Sequence, residues 1–579
     1  MSNMTKTPPE NKATTPAPQH TAPPLDTAPQ PVTPARATQF LRHLRNADVP
    51  QALVAPLAPP DLLLLLREAD DEQRGDLLLL SSPAQFTGLC DLACWQGDTL
   101  NYTALEHLVW PLVQRGVDEA RLAFTRLDEE LRTLLLRRHV IVHLREDKDD
   151  DIPASDDNEL IACPDTFYFI ELVTEGETPD VVRGLLQGLL SLPFETYQKE
   201  LECVRHDMTT ELEELALRWR NNRLADLGFA TREEGLRLLS PRPTAPLIQQ
   251  LESAATAPVP AIDIDVPALY QHTYRDAALL DAAIQHLRQS NVAQHQQRAA
   301  QLPAELTAAT NMLLSALDCD LSDFDAIARH IALSRDLVCL GLSALHCDTP
   351  DTAAHALAHL LPGQLMQAAM GVLAPLRDRA RDLLRHPAIA LENDAGAWLD
   401  PPHRVALHLL RPHVPAWWAW LTDAGQYATE LQFPFPKELQ PFAHTSQLAL
   451  AQQLLSEAEQ AAALLPKLRL LGPWETTPDV LPAFSSLVMT ALANAFATQR
   501  VHTAPVSPSD AQRFAQAFVA ADEDQSLADA LAVLAPHLDD ATPADAQAVE
   551  ARTRLLQRTL HIGRARLQSL PAHAVIATR

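Results

Sequence analysis

Between Thr38 and about residue 137, apolar residues recur every three or four positions in short blocks. That is the spacing of one face of a helix. Phe40, Leu41, Leu44 and Val49 mark a first helix and its exit. The stretch PLAPPDLLLLLREADDEQRGDLLLLSSPAQ then predicts helices opening at Pro59–Pro60, near Glu72 and at Pro83. Proline suits a first helical position because the amide it lacks has no partner there. A further pair is expected over residues 101–137. Short helices on short connections form hairpins or a superhelical stack.

The period changes at residue 138. RHVIVHL alternates β-branched residues around His139 and His143, and ELIACPDTFYFIELV reads as a hairpin turning at Pro164–Asp165. A small β insertion near 138–172 follows. Helical spacing resumes over 178–240, with Thr178 and Pro179 as a start signal. In MTTELEELALRWRNNRLADLG, Leu212, Leu215, Ala216 and Trp219 are expected on one buried face, with Trp219 as a core anchor. Gly228 is placed to stop that helix, and Thr231 with Glu234 forms a capping box for the next.

PRPTAP and ATAPVPAIDIDVP, in residues 241–265, predict a boundary or linker. Residues 266–570 read as helices punctuated by Pro, with no convincing strand. Residues 1–37, rich in Pro, Thr, Ala and Gln, and residues 571–579 read as tails; the first has too little apolar surface to offset the entropy of ordering. The fold class is thus mainly α and multi-helical. A short-helix domain (38–240) holds the β insertion, and an all-helical domain (266–570) follows.

Composition narrows the function classes. The chain has 579 residues, a formal net charge of −28 and only 16 Gly. Such a field repels nucleic acid, and scarce glycine disfavours dinucleotide-binding sheets. The seven cysteines are scattered, which suits a reducing compartment. No apolar run approaches the roughly 20 residues of a membrane span. The opening MSNMTKTPPE lacks a signal-peptide core, so a cytoplasmic location is expected.

Two segments carry a resemblance. ACWQGD (Ala93–Asp98) and WRNNRLADLGF (Trp219–Phe229) resemble the signature segments of a bacterial family of large helical proteins without an assigned function, over roughly residues 38–570. Locally, residues 56–96 are similar to the helical repeat of the cytoplasmic N-terminal domain of bacterial magnesium transporters, and to flagellar motor-switch modules. That likeness implies a stack used for protein contact and regulation, with no catalytic residues to carry over.

Candidate chemistry is sparse. Asp147, Asp149 and Asp151, inside the acidic run Glu146–Glu159, start like a calcium loop. Ile152 then replaces the required Gly, and Asn158 replaces the bidentate Glu. Arg220 and Arg223 lie one turn apart and can grip a carboxylate or phosphate; Asn222 and Asp226 form an i, i+4 pair beside them. Internal pairing with acids is the competing reading for both arginines. His355 and His359, and Cys90 and Cys94, have zinc-compatible spacing without a third ligand. Trp417, Trp418 and Trp420 make either an exposed aromatic patch or a packed corner. Phosphate-binding and nucleophile-elbow motifs are absent. The expectation is a cytoplasmic protein-interaction or regulatory scaffold, with Arg220, Asn222, Arg223 and Asp226 as candidate binding residues, no cofactor or metal, no nucleic acid, and a protein partner. The alternative is an enzyme or small-ligand sensor with its site at the domain interface.

Overall fold

The computed structural model describes residues 34–145, 147, 158–173, 180–226, 228–253, 277–390, 397–418, 421, 440–472, 483–538 and 546–569. Among these residues there are 24 α-helices and three small antiparallel sheets.

The helix starts follow local capping chemistry. In order come α1 (Pro34–Arg45), α2 (Pro50–Val54), α3 (Pro59–Glu68), α4 (Asp71–Leu80) and α5 (Pro83–Ala93). Asp70 and Ser82 each cap the following helix through a reciprocal box with Gln73 and Gln85. These boxes satisfy amides that have no helical partner. Leu62 to Leu66 are all buried. After α5 comes a hairpin, β1 (Trp95–Gln96) with β2 (Thr99–Leu100), whose two-residue turn places Gly97 at φ 59°. Then follow α6 (Tyr102–Val113), α7 (Val117–Arg126) and α8 (Glu129–His139).

The expected β insertion is a three-stranded sheet. Strands β3 (Val140–Leu144), β4 (Leu160–Ala162) and β5 (Tyr168–Leu172) run antiparallel in the order β3-β5-β4. Asp165 closes the turn, accepting from the Phe167 and Tyr168 amides at 2.6 and 2.9 Å and from the Tyr197 hydroxyl at 2.5 Å. Of the acidic run, only Asp147, Asn158 and Glu159 are described; Asp149 and Asp151 lie outside the described residues, as do Thr178 and Pro179. Asn158 donates to Glu171, and Glu159 pairs with Arg183.

Helices α9 (Asp180–Leu190), α10 (Phe194–His206) and α11 (Thr209–Asp226) complete the first half. The second half contains α12 (Arg232–Leu238), α13 (Thr244–Glu252), α14 (Ala278–Gln289), α15 (Ala293–Ala316), α16 (Phe324–Ala344), α17 (Pro350–His359), α18 (Pro362–Arg385) and α19 (Pro401–Leu410). It continues with β6 (Ala416–Trp417) paired to β7 (Gln440–Pro441), then α20 (Leu448–Leu470), α21 (Phe484–Thr498), α22 (Pro508–Ala520), α23 (Glu523–Leu538) and α24 (Ala546–Ser569). The β6–β7 ladder is a two-residue pairing that no periodicity announces.

Two hydrophobic cores result. One gathers buried residues from Ala37 to Phe229, the other from Leu238 to Leu567. The first also takes Leu314, Leu321, Ile327 and Ile331, so α15 and α16 bridge the seam. Gly235 seats α12 directly on α15: a Cβ there would stand 2.5 Å from the Met312 carbonyl oxygen. Trp417 and Trp418 are buried, with Trp417 against Phe442 at 5.4 Å between ring centroids; Trp420 lies outside the described residues. No single helix among the described residues is long and apolar enough to cross a membrane.

Candidate functional site

Helix α11 buries Leu212, Ala216, Arg220 and Leu224. This stripe is rotated from the one that apolar residues alone indicate. Leu215 and Trp219 are 40% and 48% exposed, so Trp219 is not a core anchor. An arginine takes the inward position instead, because neighbouring elements offer it acceptors. Arg220 Nε donates to the Asp91 carbonyl at 3.0 Å, at the end of α5, and Nη1 donates to the Gly97 carbonyl at 3.3 Å. Its guanidinium lies over the Trp95 ring, 5.2 Å from the centroid. One arginine thus ties together the C-terminal end of α5, where carbonyls lack helical partners, and the β1–β2 turn.

Arg223, one turn on, grips the Asp91 carboxylate with Nε at 2.7 Å and Nη2 at 2.8 Å; Nη2 also reaches Asp128 at 2.9 Å. Burial pushes the Asp91 carboxyl up, against the downward pull of Arg223; burial likewise pushes Arg220 down. The four candidate residues therefore separate. Arg220 and Arg223 face inward onto Asp91, whereas Asn222 and Asp226 are exposed on the outer side with Trp219. Gly228 adopts φ 80°, and the Phe229 amide returns to the Leu224 carbonyl at 2.9 Å, which ends α11. Thr231 and Glu234 cap α12 reciprocally.

ACWQGD and WRNNRLADLGF meet at one pocket of about 50 Å³ at the seam where the end of α15 and the α15–α16 connection join the first core. Trp95, Arg220, Asn221 and Thr231 line it from the first half, and Asp318 and Cys319 from the α15–α16 connection. Arg232 and Asp318 pair at 2.7 Å on its wall. Burial, with Asp320 and Asp323 nearby, raises the Cys319 thiol to about 12, so it is no nucleophile at neutral pH. Beyond Phe229 and Ala230, which border both, lies a larger apolar pocket of about 610 Å³ against α15 and the start of α18.

Residues remote in sequence supply half of this site. Asp91 and Asp128 carry no local signal among so many acids. The hairpin presenting Trp95 had one: Gly97–Asp98 is a two-residue turn pair.

The His355–His359 pair packs within the second half. His355 and His359 stack edge-on at 4.8 Å, and His355 faces the Leu251 carbonyl at 3.2 Å. Among the described residues, no group of three or more His, Cys, Asp or Glu side chains is placed to hold a metal. In the second core, buried Glu457 is bonded by His403 Nε2 at 2.9 Å and by Arg558 Nε at 2.6 Å. Burial pushes its carboxyl up, but these partners outweigh it and hold the group at about 2.

Residues 17–573 match the family of unknown function DUF6178. The chain belongs to that family. The match spans both signature segments and both cores of this DUF6178 protein. No curated protein and no solved structure matches the chain. The likeness of residues 56–96 to magnesium-transporter and motor-switch modules therefore stays a sequence-level expectation.

Proposed function

We propose that this DUF6178 protein is a regulatory interaction protein that docks a partner on the outer face of α11. The observation carrying this reading is the exposure of Leu215 and Trp219, one turn apart on a helix whose opposite face is locked inward by Arg220 and Arg223. Aromatic side chains standing out on a rigid support are typical interface anchors. Glu211, Glu214, Asn222 and Asp226 surround them with a single cation, Arg218, so the rim is net acidic and the partner presents an apolar groove with a mainly basic rim. The seven free thiols and the acidic charge accord with a cytoplasmic protein that does not bind nucleic acid. Affinity capture from the native host should recover a reproducible partner with the wild-type chain and lose it with Trp219→Ser at unchanged melting temperature. Equal recovery by both chains refutes the docking face.

A second reading, a small-ligand sensor, is favoured by the seam pocket. There, convergent polar groups from both halves and a shifted buried arginine coincide. Binding at that seam would set how α12 and α15 lie against α11, and so couple ligand to partner.

A further inference from the structure

The larger pocket beyond Phe229, of about 610 Å³, has walls from α12, α15 and the start of α18. Glu305, Ala308, Ala309 and Met312 line it from α15, at the i, i+3, i+4 and i+7 spacing of one helix face. Leu238 from α12 and Leu361 and Pro362 at the start of α18 add further apolar wall. Three of the four α15 positions are thus apolar, and the fourth is a carboxylate. Glu305 is 1% exposed. Arg298 donates to its Oε1, while Oε2 has no hydrogen-bond partner among the described residues. A buried carboxylate oxygen without a donor is destabilising, so an occupant that brings a donor is favoured there.

The local charge makes that occupant neutral. Arg298 is committed to the protein: its Nε and Nη2 also donate to the Leu357 and Leu360 carbonyls, at 3.0 and 3.2 Å. The buried Glu305–Arg298 pair carries no net charge. Among the described residues, the other charged groups on the wall are Glu234 and Arg237, which are exposed, opposite in sign and three residues apart on α12. A cation at Oε2 would therefore bring an unbalanced charge into an apolar cavity, and an anion would bring one to an oxygen that needs a donor. A volume of about 610 Å³ is room for about twenty water-sized groups, within the range of small-molecule sites. Apolar walls of that extent with one buried acceptor match a hydrocarbon that carries a hydroxyl.

We propose that this pocket binds a neutral hydrocarbon alcohol, its hydroxyl donating to Glu305 Oε2 and its chain lying along Ala308, Ala309 and Met312. The assignment rests neither on docking at Trp219 nor on the small pocket at Arg220.

The test titrates the full chain with 1-octanol, its isomer 1-methoxyheptane, octanoate and octylammonium, read by titration calorimetry and thermal unfolding. Octanol should bind saturably and more tightly than either ion. It should also bind about fivefold more tightly than methoxyheptane, which has the same atoms without the O–H. Ala308→Leu fills the pocket and should abolish octanol binding at an unchanged or raised melting temperature, a combination that misfolding cannot produce. Glu305→Gln keeps an oxygen for Arg298 and offers an amide N–H to the ligand, so the preference should swing toward methoxyheptane. The wild-type comparison of the two isomers decides the same point without a variant. Equal affinity for octanol and methoxyheptane in wild type overturns the role of Oε2. Tighter binding of octylammonium or octanoate than of octanol overturns the neutral class. Octanol binding retained in Ala308→Leu, or no saturable binding of any of the four probes to wild type, removes the site.

Discussion

Replacing Asp91 by alanine should unfold the junction between α5 and α11 more readily than any nearby surface change. Asp91 is 2% exposed and accepts two charge-assisted bonds from Arg223, at 2.7 and 2.8 Å. Removing one member of a buried ion pair costs about 3–5 kcal/mol, because the other charge stays behind. Arg223 is 34% exposed and keeps Asp128, so it can partly rehydrate, and the low end, about 3 kcal/mol, applies. Arg220 is untouched, since it bonds the Asp91 backbone. The control is Asp128→Ala. It removes one 2.9 Å bond from a side chain 26% exposed and should cost about 0.5–1 kcal/mol. Urea denaturation at pH 7, followed by tryptophan fluorescence and circular dichroism, gives both values. A cycle with Arg223→Ala should return a coupling near 2 kcal/mol for Asp91 and well under 1 kcal/mol for Asp128. If the two alanine variants lose stability within about 0.5 kcal/mol of each other, burial does not set the strength of this pair and the reasoning fails.

Three further outcomes follow from the geometry. The Glu457 carboxyl, held at about 2 against an ordinary 4.5, contributes stability that is complete above pH 4.5 and is lost as pH falls toward 2, about 3 kcal/mol in all; wild type should therefore lose more urea resistance between pH 5 and pH 3 than Glu457→Gln, and parallel losses would contradict this. Gly235→Ala should lower stability by about 1–3 kcal/mol, because its methyl meets the Met312 carbonyl and α12 must lift from α15; an unchanged melting temperature would show that the contact yields freely. With its thiol near 12, Cys319 should react with iodoacetamide at pH 7.5 at least about a hundredfold more slowly in the folded chain than in urea, read by peptide mapping; equal rates would contradict a thiol raised by burial and its acidic neighbours.

The features legible along the chain are those governed by neighbours a few residues apart. Proline and capping residues started α3, α5 and α12; Gly228 ended α11, where φ is 80°. Alternating β-branched residues and the Pro164–Asp165 turn announced the sheet of β3, β4 and β5. Each of these is a short-range rule, in which the chain satisfies its own amides within a turn or a hairpin. Which face of α11 turns inward was set by packing. Apolar spacing chose Leu212, Leu215, Ala216 and Trp219, of which Leu212 and Ala216 are buried; 129 residues upstream the Asp91 carbonyl, and with it the Gly97 carbonyl and the Trp95 ring, supply the acceptors and stacking surface that make burial of Arg220 favourable in place of Leu215 and Trp219. A periodicity argument treats an arginine as solvent-facing because it sees only the desolvation penalty; the compensating partners exist once α5, β1, β2 and α11 have packed. For the same reason the pocket at Arg220 was invisible along the chain, since its walls come from segments remote in sequence that meet only in the folded protein.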